Sequence, residues 1–209
     1  ATRRSSSAVR PGDILPLRGV DLTIVVSNGE VPLQPMNPQG SNLLCQDADP
    51  GPEDAGENSR SVGYIVTLGD FEFLNLGDLT LGGQHVLACP ENLVGVVDLM
   101  QIPHHGNSVA PQLMSALEPT VAVSSTGARK GGSPEGYMVM ANVPGIEGIW
   151  QLHRALGTDD QHNTSEPMIA NLDENEDAGY WIKAEVRSDG GSYRIINGRN
   201  QHHETYTTK

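Results

Sequence analysis

The sequence has few basic residues, few cysteines and no long hydrophobic run. Among its 209 residues, 13 are Lys or Arg and 26 are Asp or Glu, which gives a formal net charge of −13. Such a surface repels nucleic acid unless a metal ion or a local basic patch intervenes, and it disfavours polyanionic substrates without excluding them. No apolar run approaches the length of a membrane span. We therefore expect a protein that interacts neither with membranes nor, without such a patch, with nucleic acid.

The two cysteines, Cys45 and Cys89, carry little information on their own. Their spacing matches neither a zinc ribbon nor a framework of several disulfides. They can pair only if the fold brings them together. The cysteines therefore leave the compartment open between a bacterial cytoplasm and secretion.

Strand-like and helix-like segments alternate through most of the chain and predict a mixed α/β sheet with flanking helices and hairpins near both ends. The dipeptides Asn28-Gly29 and Gly69-Asp70 are typical of tight hairpin turns. We expect residues 1–209 to form a single domain. The predicted strands are 20–26, 30–33, 62–68, 71–76, 96–102, 121–125, 149–153, 181–186 and 193–196, and the predicted helices are 84–89, 111–117 and 134–142.

Two polar segments interrupt this alternation. Residues 34–61 are rich in Pro, Gly, Asn and acidic residues and show no periodicity, so they predict a long irregular loop that lies across one face. Residues 157–177 form a second polar segment. The tail that contains His202 and His203 is predicted to be solvated.

The residues with a chemical signal follow two of the predicted strands. Leu76-Gly77-Asp78 ends one hairpin, and Ile102-Pro103-His104-His105-Gly106 ends a later apolar run. Carboxylate and imidazole side chains at neighbouring strand ends can converge at one edge of a sheet, where hard and borderline metals find oxygen and nitrogen ligands. Two simpler interpretations stay open, because Asp78 could cap a following helix and the histidines could pack against the sheet.

A basic, glycine-rich segment, Arg129-Lys130-Gly131-Gly132, lies between a predicted strand and a predicted helix. Its amides and charges predict a binding site for an anionic group of a substrate, such as a carboxylate or a phosphate. A flexible connection explains the same pattern equally well. His153 ends another predicted strand and is a weaker candidate for substrate contact at the same edge.

Together these motifs resemble the C-terminal half of metallo-β-lactamase-fold hydrolases. The motifs that carry the similarity are Leu76-Gly77-Asp78, Pro103-His104-His105-Gly106 and Ser133-Pro134-Glu135. The similarity covers most of the chain, from about Val9 to the end, and it is greatest for the branch that includes the metallohydrolase domain of competence proteins. The resemblance implies an α/β fold that is half of an αββα sandwich. It also implies that Asp78 bridges two metal ions, and that one of His104 and His105 is a ligand while the other is an outer group or a general acid.

For function, the resemblance implies hydrolysis of an ester, lactone, amide or phosphoester bond in a small-molecule substrate by a metal-bound hydroxide. The implied cofactor is zinc or manganese, with two ions in a complete site. The His-x-His-x-Asp-His motif, which supplies most of the family's ligands, is missing from the sequence. Either another chain or segment carries the N-terminal half of the fold, or the sequence is a fragment of a longer enzyme. The alternatives are a non-catalytic half-domain that serves as a structural or binding module and, disfavoured by the net charge, a nuclease.

Overall fold

An eight-stranded mixed β-sheet organises the protein, which we describe from a computed structural model covering residues 8–38, 40–46, 48–51, 54–174 and 179–209. Neighbouring strands in this sheet follow one another in the chain. The pairing is antiparallel from the first to the fourth strand and parallel from the fourth to the eighth. The strands are β1 (Ile14–Leu15), β2 (Asp21–Val26), β3 (Gly63–Leu68), β4 (Phe71–Asn75), β5 (Leu99–Gln101), β6 (Val121–Ser124), β7 (Gly148–His153) and β8 (Ile169–Asn171).

Helices cover one face of this sheet and confirm the predicted α/β class. They are α1 (Leu81–Ala88), α2 (Pro111–Leu117) and α3 (Pro134–Ala141). Pro111 and Pro134 stand at the first helical position, where the missing N–H costs nothing. Ser133 caps α3, because its Oγ accepts a hydrogen bond of 3.0 Å from the Gly136 amide. The core beneath the helices is apolar and includes Leu74, Leu87, Met100, Leu113, Met114, Ala122 and Met140.

A separate three-stranded antiparallel sheet packs on the opposite face. Its strands are β9 (Ile182–Val186), β10 (Ser192–Asn197) and β11 (His203–Thr207), with β10 in the centre. The cluster between the two sheets consists of Phe71, Leu99, Val121, Trp150, Tyr193, Ile195 and Tyr206. The small sheet covers only part of the larger one. A cavity of 320 Å³ remains between them, lined mainly by apolar residues that include Val66, Phe73, Val123, Ile182 and Val186.

Three of the predicted segments differ from the structure. The strand predicted at 30–33 is wrong: the Asn28-Gly29 turn closes only a single bridge between Ser27 and Glu30. Pro32 cannot donate to a ladder and Leu33 is 97% exposed, so nothing holds a second strand there. The segment at 157–177 contains β8 in its described part, while its positions 175–177 lie outside the described residues. The tail is not simply solvated, because it forms β11.

The described part of residues 34–61 is largely irregular, and it is tied to the helical layer. In its described part it contains two short 3-10 helices, Leu43–Cys45 and Asn58–Arg60, while positions 39, 47, 52 and 53 lie outside the described residues. Cys45 forms a disulfide with Cys89, directly after α1. Asn42 adds hydrogen bonds from Nδ2 to the carbonyl oxygens of Ala88 and Gln112, at 3.3 and 2.9 Å. The loop therefore joins α1 and α2.

The C-terminal ends of the parallel strands β4 to β7 lie along one edge of the large sheet. Loops that follow such strand ends gather at a common edge, which is where α/β proteins usually place ligands. In the part of the chain that the structure describes, no helix is long and apolar enough to cross a membrane.

Candidate functional site

The structure brings Asp78 and His105 together at this edge of the sheet. Asp78 lies after β4 and His105 lies after β5, and the two strands pair in parallel. The distance from His105 Nε2 to Asp78 Oδ1 is 3.4 Å, and both side chains are partly exposed. The predicted convergence of a carboxylate and an imidazole is therefore present in the fold, whereas their role as metal ligands stays a prediction.

Hydrogen bonding sets the orientation of the His105 ring. Its Nδ1 lies 3.0 Å from the carbonyl oxygen of Ser125, an atom that can only accept a hydrogen bond. A neutral ring that donates to this carbonyl carries its proton on Nδ1 and leaves Nε2, the nitrogen nearer to Asp78, unprotonated. Metal-binding histidines commonly show this arrangement, with the other ring nitrogen bonded to a carbonyl.

The Pro-His-His-Gly segment has an unusual backbone. His104, His105 and Gly106 follow one another with φ of 51°, 56° and 77°, all in the left-handed region. For residues other than glycine this conformation costs about 1–3 kcal/mol each, and it persists only where neighbouring groups enforce it. Here the His104 amide donates to the Gly77 carbonyl at 3.1 Å, and the Gly132 amide donates to the His105 carbonyl at 2.9 Å. The segment is thus held between the Gly-Asp turn and the glycine-rich loop.

The His104 ring is not directed at Asp78 in the same way. Its Nδ1 is buried and has no hydrogen-bond partner, and no ion pair joins its ring to another described residue. Of the two predicted histidines, His105 is therefore the one that faces the carboxylate. The backbone amide of His104 is bonded to Gly77, and the role of its side chain as a ligand, an outer group or a general acid stays a prediction.

Gly131 is placed so that any side chain would displace His105. A Cβ at this position would lie 2.2 Å from the His105 carbonyl oxygen, and the residue has φ of +87°. We expect Gly131→Ala to lower the free energy of unfolding by at least about 2 kcal/mol, through left-handed strain and overpacking together. Urea unfolding would measure this loss.

Gly145 supplies the control for this substitution. It has φ of +80°, and no described atom lies within 4 Å of the position that a Cβ would occupy, so Gly145→Ala introduces the strain alone. We expect a cost of about 1 kcal/mol there. Equal losses at the two positions would contradict the expected clash with His105.

The basic segment lies next to this element, and its two charged residues differ. Arg129 forms a two-pronged ion pair with Glu174, from Nε to Oε1 at 2.6 Å and from Nη2 to Oε2 at 2.9 Å. The hydrogen bond from Arg129 lowers the pKa of the Glu174 carboxyl, and the same bond raises the pKa of the guanidinium. The charge of Arg129 is thus already matched. Lys130 is exposed and has no ion pair with another described residue, which leaves it as the freer cation.

His153 lies farther along the edge, at the end of β7. Its Nδ1 is 2.7 Å from the Arg154 carbonyl oxygen and its Nε2 is 3.3 Å from the Asp173 carbonyl oxygen. Both ring nitrogens therefore face backbone acceptors. The structure does not join His153 to Asp78 or His105 by a hydrogen bond or an ion pair.

Two residues of this region escape prediction from the sequence. Ser125 orients His105 through its carbonyl oxygen, an atom that every residue carries. Glu174 pairs with Arg129 across a separation of 45 residues. The sequence would point to Ser125 only if the register of β6 against β5 were known, because Ser125 directly follows β6. Glu174 has none, since it lies in a polar segment that contains several carboxylates.

Two ligands are fewer than a metal centre requires. Within the described ranges, no group of three or more His, Cys, Asp or Glu side chains is arranged to hold a metal ion. The chain matches no protein-family model and no curated protein. An assignment of function therefore depends on the geometry of the residues above.

Proposed function

We propose that the chain is the C-terminal half of a metal-dependent hydrolase of the metallo-β-lactamase type, which cleaves an ester, lactone, amide or phosphoester bond. One observation carries the proposal. Asp78 of the Gly-Asp turn and His105 of the Pro-His-His-Gly element lie close together, with 3.4 Å between Asp78 Oδ1 and His105 Nε2, while His105 Nδ1 lies 3.0 Å from the Ser125 carbonyl oxygen. A nitrogen and an oxygen donor in this arrangement suit zinc, and manganese is the second choice because it prefers oxygen ligands.

The roles of the chain's own residues follow from their contacts. Asp78 and His105 would hold the cation, and a hydrogen bond from His105 Nδ1 to the Ser125 carbonyl would leave Nε2 free to ligate. When bound, the metal supplies a Lewis acid for the hydrolysis. Lys130, on the neighbouring loop, is the candidate to attract an anionic group of the substrate. Arg129 would contribute to substrate binding only after separating from Glu174.

The remaining ligands would come from a partner chain or segment that carries the N-terminal half of the fold. The incomplete cover of the large sheet supports this part of the proposal. Val66, Phe73 and Val123 line an open cavity on the face opposite the helices, and an apolar face of this kind favours burial against another layer. Without such a partner, the chain would be a non-catalytic binding module that supplies only two metal-binding residues.

We further propose that the chain resides in an oxidising environment. The disulfide between Cys45 and Cys89 supports secretion over the cytoplasm, because reducing cytosol opens most such bonds. A nuclease function is not favoured. A formal net charge of −13 opposes approach to a polyanion, and among the described residues of the basic segment Lys130 alone is outside an ion pair, which does not make a basic patch.

Paramagnetic broadening by Mn²⁺ tests the proposed metal pair even where binding is weak. In ¹⁵N-labelled protein titrated with Mn²⁺, we expect the amide signals of Gly77, Asp78 and His105 to broaden first. Asp78→Ala and His105→Ala should each weaken this effect at least about 100-fold, since losing a ligand costs more than the about 10–100-fold lost with an outer group.

Asp70 provides a matched control, because it belongs to another Gly-Asp dipeptide of the chain. It lies in the turn between β3 and β4, away from the histidines. Asp70→Ala should leave the broadening at Gly77 and His105 unchanged. If Asp78→Ala also left the broadening unchanged, Mn²⁺ would be bound through the negative charge of the protein as a whole. The non-catalytic module would then be the better assignment.

A further inference from the structure

Two side-chain amides lie side by side where β4 and β5 end. Asn75 and Gln101 are in register on the two parallel strands, and Asn75 Nδ2 donates to Gln101 Oε1 at 2.7 Å. Both are half-buried, and their neighbours on the same face are Phe73 and Leu99. Polar groups on such a face cost free energy unless they are hydrogen-bonded, so the presence of this pair needs an explanation.

Hydrogen bonds connect this amide pair to both halves of the candidate site. On one side, Asn75 Oδ1 accepts a hydrogen bond of 2.8 Å from the amide of Gly77, the residue before Asp78. On the other side, Gln101 Nε2 lies 3.5 Å from Ser125 Oγ. That hydroxyl lies 3.4 Å from His105 Nδ1. The two short hydrogen bonds connect Gln101 through Asn75 to the Gly77 amide, next to Asp78. The two longer contacts connect Gln101 through Ser125 to His105.

The strand geometry makes this connection effective. Gly77 has φ of +58°, so the chain reverses sharply between β4 and Asp78. The bond from the Gly77 amide to Asn75 fixes that reversal, and Gln101 in turn prevents rotation of the Asn75 amide. Since Gln101 belongs to the strand that leads into Pro103 and the histidines, one hydrogen-bonded pair ties together the strands that carry both ligands.

We propose that Asn75 and Gln101 are positioning residues that hold Asp78 and His105 at the separation needed to share a cation. This inference rests on the proposed function, because it concerns the same two ligands. Neither amide would itself be a ligand of the cation. Their effect passes through the Gly77 backbone and through Ser125, as outer hydrogen bonds tune metal ligands in general.

The Mn²⁺ titration tests the proposal with three variants. Asn75→Ala removes both hydrogen bonds, and Gln101→Met keeps the side-chain volume while removing the amide. We expect each to weaken Mn²⁺ binding about 10–100-fold. Asn75→Asp keeps an oxygen for the Gly77 amide, and the Gln101 amide can turn its NH₂ towards the new carboxylate. Asn75→Asp should therefore bind Mn²⁺ at least as well as the original protein.

Gln151 is the matched control. It is also a strand glutamine, buried on β7, and it bonds to Asn163 and to the Thr164 amide rather than to the site. Gln151→Met should lower stability without changing Mn²⁺ affinity. If Gln101→Met is folded and binds Mn²⁺ as tightly as the original protein, the proposal is wrong.

A measurement without metal separates this inference from the proposed function. Amide hydrogen exchange at Gly77 should accelerate about fivefold in Asn75→Ala, as expected for the loss of one net hydrogen bond. Exchange within β2 should not change. If the original protein binds no Mn²⁺, the proposed function fails while exchange still decides whether Asn75 positions the turn. Unchanged exchange at Gly77 would overturn the positioning role whatever the metal result.

Discussion

Replacing Cys45 and Cys89 together by serine should lower the free energy of unfolding by about 4 kcal/mol. The disulfide closes a loop with a sequence separation of 44 residues. In the chain-entropy model, a cross-link over a loop of this length removes about 4 kcal/mol of conformational entropy from the unfolded ensemble. Residues 34–61 have little regular structure to compensate, so most of this loss should appear in the measured stability.

Urea unfolding of the double variant and of the original protein measures the difference. Reduction of the original protein with dithiothreitol should produce the same loss, which separates the missing bond from an effect of the serine side chains. The distance between Asp78 and His105 should not change, because the disulfide lies on the helical layer. A loss below about 1 kcal/mol would mean that the loop is restrained equally well without the bond.

Trp150→Ala should lower the free energy of unfolding by about 3–5 kcal/mol, the usual cost of removing a fully buried tryptophan. The Trp150 side chain is 0% exposed and lies between the two sheets. Its Nε1 donates to the Tyr206 hydroxyl at 3.1 Å. The substitution therefore removes apolar contact area and also leaves a buried hydroxyl with one partner fewer, since Tyr206 still donates to Glu204.

Trp181 supplies the control for Trp150, because the sequence contains two tryptophans. It is 45% exposed and packs against Gly198 at the margin of the small sheet. Trp181→Ala should cost about 1 kcal/mol, in line with partial burial. Chemical denaturation followed by circular dichroism compares the two variants. Similar losses at both positions would show that the contact between the sheets contributes little to stability.

Local chemistry explains which parts of the fold can be predicted from the sequence. The hairpin of β3 and β4 follows from Gly69-Asp70, and α2 and α3 begin at prolines. These signals act over a few residues. No such signal marks β8 or β11, because β8 has only three residues and β11 is largely polar with Tyr206 as its buried contact. These two strands form because a neighbouring strand, β7 for β8 and β10 for β11, supplies the backbone hydrogen bonds.

The candidate site is predictable in part for the same reason. Asp78 and His105 follow strand-like runs, and the ends of adjacent parallel strands meet at one edge. The partners that orient them depend on register between strands, which the sequence pattern does not specify. This applies to Ser125 and to the amide pair of Asn75 and Gln101. The pairing of Cys45 with Cys89 is equally non-local, since no motif links the two positions.

The order of strands in the large sheet has a consequence for biosynthesis. Because each strand lies beside the one made just before it, the sheet can grow on the ribosome without waiting for a distant segment. The strands of the small sheet follow those of the large sheet in the chain. Trp150 and its partner Tyr206 are 56 residues apart, so translation at about 5–20 residues per second separates them by about 3–11 s. During that interval the nascent chain presents an uncovered apolar face, and chaperone binding should be concentrated there.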